Sequence, residues 1–425
     1  MQRKIMAKLA KWRASKNNRL PLLLYGARQV GKTYILQEFG KQYFQNTVYV
    51  NFEEDKILAS YLEMRLQPDY IIKTIEELYG VKIEPENTLL IFDEIQSCAR
   101  ALTSLKYFAE QAPEYCIVAA GSLLGVVINR ENHSFPVGKV EIIRLYPLDM
   151  EEYLWAKEKT SLAQLIKACY MNNQPLPELL HQEAMQLYHE YLLTGGMPAV
   201  VKAQLTGADA FELKGFIYNS YVADMAKYAS KGESIKIAEA YDSLPAQLAK
   251  ENKKFQYKLI RTGARSSLYG NSLDWLIQAG VVLKCTKCEQ GWVPLAAYED
   301  LSSFKLYFSD TGLFSYRLKL TQQNLPYAQQ FMGALTENYV AIQLQANGHE
   351  LHYWESQSTA EVDFVITNTE QIIPIECKAN LHVKSKSLHI FNKRYNIQQS
   401  IRLSDRNFGL EKYIKAVPLY AAWCI

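Results

Sequence analysis

No apolar run in this chain approaches the ~20 residues that a helix needs to cross a bilayer, so no membrane partner is expected. Cysteine is sparse: seven residues, odd in number and scattered. That argues against a disulfide framework and for a reducing, cytoplasmic setting. Cys285 and Cys288 form one Cys-x-x-Cys pair with no second pair nearby. A zinc site needs about four ligands, so both read as free thiols. A large excess of charge is also missing. Charged residues make up 21% of the 425 and the net charge is +3, so any affinity for nucleic acid must come from local clusters. Met1-Gln2-Arg3-Lys4 is basic but has no apolar core after it, unlike a signal peptide. Repeats and low-complexity tracts are absent. What remains is an ordinary globular composition, 48% hydrophobic, long enough for two or three domains.

The most informative stretch is Leu20 to Thr33. An apolar run enters Gly26-Ala27-Arg28-Gln29-Val30-Gly31-Lys32-Thr33, and a helical pattern from Tyr34 to Phe39 leaves it. This is a P-loop in its strand–loop–helix setting. Glycine allows the backbone to curl so that its N–H groups face a phosphate. The helix that follows adds unpaired N–H groups at its positive end. Gly26 through Thr33 are therefore the expected nucleotide contacts, with Lys32 on the β and γ phosphates and the Thr33 hydroxyl on Mg²⁺.

The flanking pattern alternates strands and helices. Residues 4–19 read as a basic amphipathic helix. Strands are expected at Asn46–Phe52, Thr88–Phe92, Tyr115–Ala120 and Val140–Leu145, with helices at Tyr70–Tyr79 and Leu102–Ala109. Continuous apolar runs such as Leu89-Leu90-Ile91-Phe92 suit strands buried on both faces of a parallel sheet. The predicted fold class is α/β: a P-loop NTPase with a doubly wound parallel sheet over residues 1–148. Residues 149–250 read as helical. Residues 251–325 resemble a winged helix, with Val281–Cys285 and Lys305–Phe308 as the wing strands. Residues 326–425 turn α/β again, with a helix to about Ala346 and strands at Glu350–Trp354, Val362–Ile366 and Ile372–Cys377.

A P-loop needs an acid for the Mg²⁺ shell. Asp93 ends the apolar run Leu89–Phe92 and Glu94 follows it. Asp93 is assigned to Mg²⁺ through water, and Glu94 to polarising the attacking water. Ser122, after the next strand, is a candidate γ-phosphate sensor or, equally, a helix cap. Arg130, Lys139 and Arg144 are the candidates to neutralise transition-state charge, and nothing in the pattern chooses among them.

These residues carry a specific resemblance. Gly-Ala-Arg-Gln-Val-Gly-Lys-Thr, Asn51-Phe52-Glu53, Phe92-Asp93-Glu94-Ile95-Gln96 and Phe135-Pro136-Val137-Gly138-Lys139-Val140 resemble a family of prokaryotic AAA-type ATP-binding proteins. So do Pro147-Leu148 with Glu151-Glu152-Tyr153, Gly195-Gly196-Met197-Pro198 and Asp224-Met225-Ala226-Lys227-Tyr228. The resemblance implies a P-loop ATPase joined to a C-terminal domain of unknown function with a nuclease-like fold. The family commonly has Arg where this chain has Lys139, which keeps the charge and loses the bidentate fork.

The second chemical signal is C-terminal. Asp363 precedes Glu376-Cys377-Lys378, an acid followed by Glu-x-Lys. Alternation puts Glu376 and Lys378 on one strand face, and Asp363 fits the partner strand of a hairpin. Two carboxylates would hold Mg²⁺ or Mn²⁺ against a scissile phosphate, with Lys378 orienting water or stabilising charge. Glu337 on the preceding helix is a candidate third metal ligand. The order resembles the restriction-endonuclease-like, PD-(D/E)XK fold. Lys384, Lys386, Lys393, Arg394 and Arg402 lie in a stretch, 379–404, that has no acid. Lys250, Lys253, Lys254, Lys258, Arg261 and Arg265 precede the winged-helix-like segment. Both stretches are candidate nucleic-acid faces or ordinary solvated surfaces.

Together these readings describe a Mg²⁺-dependent ATP-binding protein, an ATPase, that couples nucleotide state to a nuclease-like, DNA-associating domain. The alternative is a nucleotide-regulated switch that binds DNA, a protein partner or itself, with no nuclease activity.

Overall fold

Burial decides the N-terminal architecture. Every residue of β3 (Thr88–Asp93) and β4 (Cys116–Gly121) is buried, as a strand covered on both faces requires. In the computed structural model, which describes residues 1–16, 19–122, 135–251, 253–356, 360–368, 371–379 and 385–425, these strands join β1 (Leu22–Tyr25), β2 (Asn46–Asn51) and β5 (Glu141–Arg144) in one parallel sheet. The order is β2-β3-β4-β1-β5. Arg130 and Lys384 lie outside the described residues.

One face of this sheet packs Leu23, Val48, Val50, Leu90, Phe92 and Ile117 against the helices Lys56–Met64, Pro68–Tyr79 and Ala99–Gln111. The helix Lys32–Tyr43, which packs against β2, β3 and β4, buries Ile35, Leu36 and Phe39. Local signals fit these elements. Pro68 opens its helix, where its missing N–H costs nothing, and Gly80 closes it in the left-handed conformation at φ 64°.

The chain divides into two units. Arg3–Tyr146 with Gln278–Gly280 form one, and Met1–Gln2, Pro147–Ile277 and Val281–Ile425 form the other. Apart from Gln278–Gly280, the stretches 149–250, 251–325 and 326–425, distinct in sequence pattern, thus share a unit. Its strands form a mixed eight-stranded sheet. They are β6 (Val282–Cys288), β7 (Glu299–Phe308), β8 (His352–Glu355), β9 (Glu361–Asn368), β10 (Gln371–Cys377), β11 (Ser400–Ser404), β12 (Gly409–Glu411) and β13 (Ile414–Pro418), in the order β12-β13-β11-β10-β9-β8-β6-β7.

The two expected wing strands lie in this sheet. β6 and β7 do pair antiparallel, but β6 also pairs parallel with β8. The hairpin is therefore the edge of the C-terminal sheet and not a free wing. Apolar alternation cannot tell the two apart, since both need one buried face. A single helix, Ser266–Gln278, precedes this hairpin.

The helical segment contains a polar knot built from the motif residues. Asp149 caps the helix Met150–Ala156 by accepting from Glu152 N at 2.9 Å, and Glu152 reaches back to Asp149 N in a capping box. Tyr191 donates to the Leu148 carbonyl at 2.6 Å, and Leu148 N donates to the Gly196 carbonyl at 2.7 Å. Gly196 N donates to the buried Asp310 carboxylate at 2.6 Å. A Cβ on Gly196 would lie 2.0 Å from the Leu148 carbonyl oxygen, which explains the second glycine of Gly195-Gly196-Met197-Pro198. Gly196→Ala is therefore expected to lower the thermal unfolding midpoint by about 5 °C or more. Gly232→Ala, where a Cβ meets nothing within 4 Å on a helix, should leave the midpoint unchanged or slightly raised. Thermal unfolding of the two variants side by side checks this.

Candidate functional site

The polar groups of the first unit collect where the strands end. β1 stops at Tyr25, and the chain turns at once because Gly26 passes close to β5. A Cβ on Gly26 would sit 2.2 Å from the Leu145 carbonyl oxygen. Gln29 and Gly31 take left-handed backbone angles, φ 65° and 93°, an alternation that gathers neighbouring N–H groups into an anion-binding nest. Gly31 leads into the helix Lys32–Tyr43. The buried Lys32 ammonium donates to the carbonyls of Gly26 and Ala27 at 3.0 and 2.9 Å, folded back onto its own loop.

Thr33 is tied to β3. Its hydroxyl donates to Asp93 Oδ2 at 2.6 Å, and Tyr49 from β2 donates to the same oxygen at 2.9 Å. Asp93 Oδ1 accepts from Glu94 N at 2.9 Å. Glu94 itself sits in the left-handed region at φ 48°, ψ 41°, a conformation that costs an acidic residue free energy and tends to mark functional positions. Gln96 donates to the Glu94 carboxylate. Burial pushes the Glu94 carboxyl up, the Gln96 amide pulls it down, and the neighbouring Asp93 charge raises it again. Ser122 follows β4, the strand that lies between β1 and β3. The expected set Gly26–Thr33, Asp93, Glu94 and Ser122 thus shares the C-terminal edge of one sheet, where open α/β sheets bind ligands.

Two participants escaped the sequence reading. Arg3 holds the loop by donating to the carbonyls of Val30 at 3.1 Å and Tyr146 at 2.6 Å. In the sequence it stands only as part of a basic terminus. Tyr49 was visible as a strand residue, but its reach to Asp93 depends on strand order. Of the charge-neutralising candidates, Lys139 pairs with Glu110 at 3.1 Å at the surface. Arg144 lies over the rings of Tyr25 and Tyr146 at 5.5 and 5.0 Å.

The C-terminal residues come together differently from the expectation. β9 and β10 pair antiparallel, with Ile375 opposite Phe364, so the next step sets Glu376 across from Asp363. Asp363 Oδ2 accepts from Cys377 N at 2.8 Å, and Lys378 pairs with Glu376 Oε1 at 3.0 Å. Glu376 Oε2 is buried without a hydrogen-bond partner. Glu337 does not join them as a third ligand. Its carboxylate is held by Lys253, by Lys305 at 2.9 Å and by Tyr307. Among the described residues no group of three or more His, Cys, Asp or Glu side chains is arranged to hold a metal. Burial raises the Glu337 carboxyl, but Lys253 and Lys305 outweigh it and hold it below the usual carboxylate range. Burial and the Glu337 charge push Asp363 up, against both lysines.

The basic stretches divide in the same way. Lys253 and Lys254 turn inward, to Glu337 and Glu355. Buried Arg402 makes a two-pronged pair with Glu411 at 3.0 Å per arm. Each of the three is engaged by an acid: buried Glu337, half-buried Glu355 and exposed Glu411 respectively. Lys250, Lys258, Arg261, Arg265, Lys386, Lys393 and Arg394 remain exposed.

Comparison with known proteins agrees with the N-terminal reading. Residues 18–154 match the AAA domain family, residues 185–324 a domain of unknown function (DUF8612), and residues 332–422 another (DUF4143). No curated protein matches. Among solved structures, the Walker-type ATPase PABY2304 of Pyrococcus abyssi is 15% identical, with 75% of this chain and 95% of that one covered and a TM-score of 0.43. The Aeropyrum pernix ORC2 protein is 13% identical, with 76% and 95% covered and a TM-score of 0.36. DnaA from Aquifex aeolicus is 13% identical, with 65% and 89% covered and a TM-score of 0.29. The strand order, the loop geometry and the domain match make the first unit a P-loop fold of the AAA type.

Lys32→Ala removes the one cation buried in the loop. Loss of a charge-assisted contact is worth about 1.5–3 kcal/mol, so ATP affinity should fall about 10- to 100-fold. Calorimetric titration checks this, with the unfolding midpoint as a control for the fold.

Proposed function

We propose that this chain binds ATP with Mg²⁺ and hydrolyses it at the β1–β3 edge of its first unit. The observation that carries this reading is the 2.6 Å hydrogen bond between Thr33 and Asp93. It brings a hydroxyl and a carboxylate from two strands beside a loop suited to phosphate, and that donor set fits Mg²⁺. Thr33 would ligate the ion directly and Asp93 through water. When bound, Mg²⁺ would neutralise phosphate charge. The backbone N–H groups around Gln29–Thr33 hold the phosphate chain, and the Lys32 ammonium exchanges the Gly26 and Ala27 carbonyls for phosphate oxygens. The Glu94 carboxylate orients water and accepts its proton. Ser122, the residue after β4, would sense the terminal phosphate, and Arg130, Lys139 or Arg144 would neutralise the transition-state charge.

Glu94→Gln should reduce turnover by about 10²- to 10⁴-fold while ATP binding persists. Because burial raises the Glu94 carboxyl, wild-type activity should fall on acidification above the ordinary carboxylate range. Gln96 opposes that rise, so Gln96→Leu should move the acidic limb of the pH–rate profile upward. An unmoved limb in Gln96→Leu would argue against Glu94 as the proton acceptor.

The C-terminal half supplies the output in this reading. Helix Gln329–Ala346, β8, β9, β10, helix Lys386–Tyr395 and β11 follow one another with β8-β9-β10-β11 adjacent in the sheet, an order that supports a restriction-endonuclease-like fold. Asp363, the partnerless Glu376 Oε2 and Lys378 fit one divalent ion, Mg²⁺ or Mn²⁺, against a nucleic-acid phosphodiester. The expected result is Mn²⁺-dependent nicking of plasmid DNA that Asp363→Ala abolishes while ATP hydrolysis survives. A second reading is favoured by the lysines on Glu337: the acids serve as structural partners, and ATP turnover times binding to DNA or protein. Salt-sensitive DNA binding without nicking under any Mg²⁺ or Mn²⁺ condition would select it.

A further inference from the structure

The Glu337 cluster contains a cation that is held and one that is free to leave. Lys305 is fully buried on β7 and bridges Glu337 at 2.9 Å and Glu361 at 2.6 Å. It cannot withdraw without opening the sheet. Lys253 differs. Its side chain is 19% exposed, and it lies in the irregular segment between the helix Lys231–Leu248 and the turn Tyr257–Leu259. The chain just beyond it is fixed. Phe255 N donates to the Phe304 carbonyl at 2.8 Å, its ring stacks on Phe304 at 5.5 Å, and Gln256 N donates to Gln247 at 2.9 Å. Lys253 can therefore leave Glu337 by rotation of its own side chain, with the backbone in place.

The charges count in the same direction. Glu337, Glu361, Asp363 and Glu376 face Lys253, Lys305 and Lys378. Four carboxylates against three ammonium groups leave one negative charge, too little to balance a divalent ion in a buried site. Withdrawal of Lys253 leaves two, which one divalent ion neutralises. The partnerless Glu376 Oε2 marks where a further cation would be welcome.

We propose that Lys253 is an exchangeable counter-cation: a divalent ion enters beside Asp363 and Glu376 as the Lys253 ammonium leaves Glu337, while Lys305 stays as the permanent partner. Glu337 is then a positioning residue that holds the exchange, not a metal ligand. The inference rests on the reading of Asp363 and Glu376 as a metal site, and the experiment separates the two. Mn²⁺ is titrated calorimetrically into the full chain and into Lys253→Met and Asp363→Asn. Removal of a unit positive charge from the same buried cluster should tighten Mn²⁺ binding by at least about tenfold in Lys253→Met, and Asp363→Asn should abolish it. In the wild-type chain, which needs no variant to fold, acylation of Lys253 by an amine reagent should quicken when Mn²⁺ is added, read by mass spectrometry. Mn²⁺ affinity unmoved in Lys253→Met but lost in Asp363→Asn would overturn the exchange alone. Lys253 acylation indifferent to Mn²⁺ would do the same. Affinity unaffected by Asp363→Asn would overturn the metal site and the exchange together.

Discussion

Burial of β3 and β4 on both faces is the constraint from which the first unit follows. A strand with no wet face has only its ends for polar chemistry, so Asp93 is displaced to the last position of β3 and Ser122 to the residue after β4. β4 lies between β1 and β3, and the loop after β1 therefore faces the end of β3 across one strand. The Thr33–Asp93 hydrogen bond is the outcome. Glycine is needed at position 26 for a related reason: the loop leaves β1 directly against the β5 backbone, and a Cβ would meet the Leu145 carbonyl.

The second unit solves a different problem, the housing of buried charge. Asp310 receives the Gly196 and Leu313 N–H groups, and Glu337 receives two ammonium groups and a phenol. Such networks are costly when incomplete. That cost accounts for how many of the basic residues turn inward to acids. It also separates a chemically suggestive order of residues, Glu337, Asp363, Glu376 and Lys378, from a ready-made three-acid metal site.

Much of the first unit was legible in the sequence because its signals are local. Apolar runs, a Gly-Lys-Thr turn and an acid at the end of a run each need only neighbouring residues. What escaped was tertiary. Arg3 on the loop carbonyls and Tyr49 on Asp93 depend on which strands lie side by side, and no periodicity reports that. The pairing of β6 with β8 escaped for the same reason, since β6 shows the same alternation whether its second edge is solvent or another strand. In the C-terminal half, the hairpin of Asp363 and Glu376 was readable from spacing. The capture of Glu337 by Lys253 and Lys305 was not, because those lysines sit 84 and 32 positions away in segments that read as basic surface and as strand.

In the proposed ATP site, Thr33 and Asp93 form the metal-binding edge. Titration of ATP into the full chain with and without Mg²⁺, repeated with Asp93→Asn, tests it most directly. One ATP should bind per chain, at least about tenfold tighter with Mg²⁺, and Asp93→Asn should lose that Mg²⁺ advantage. ATP binding indifferent to Mg²⁺ in the wild-type chain would contradict it.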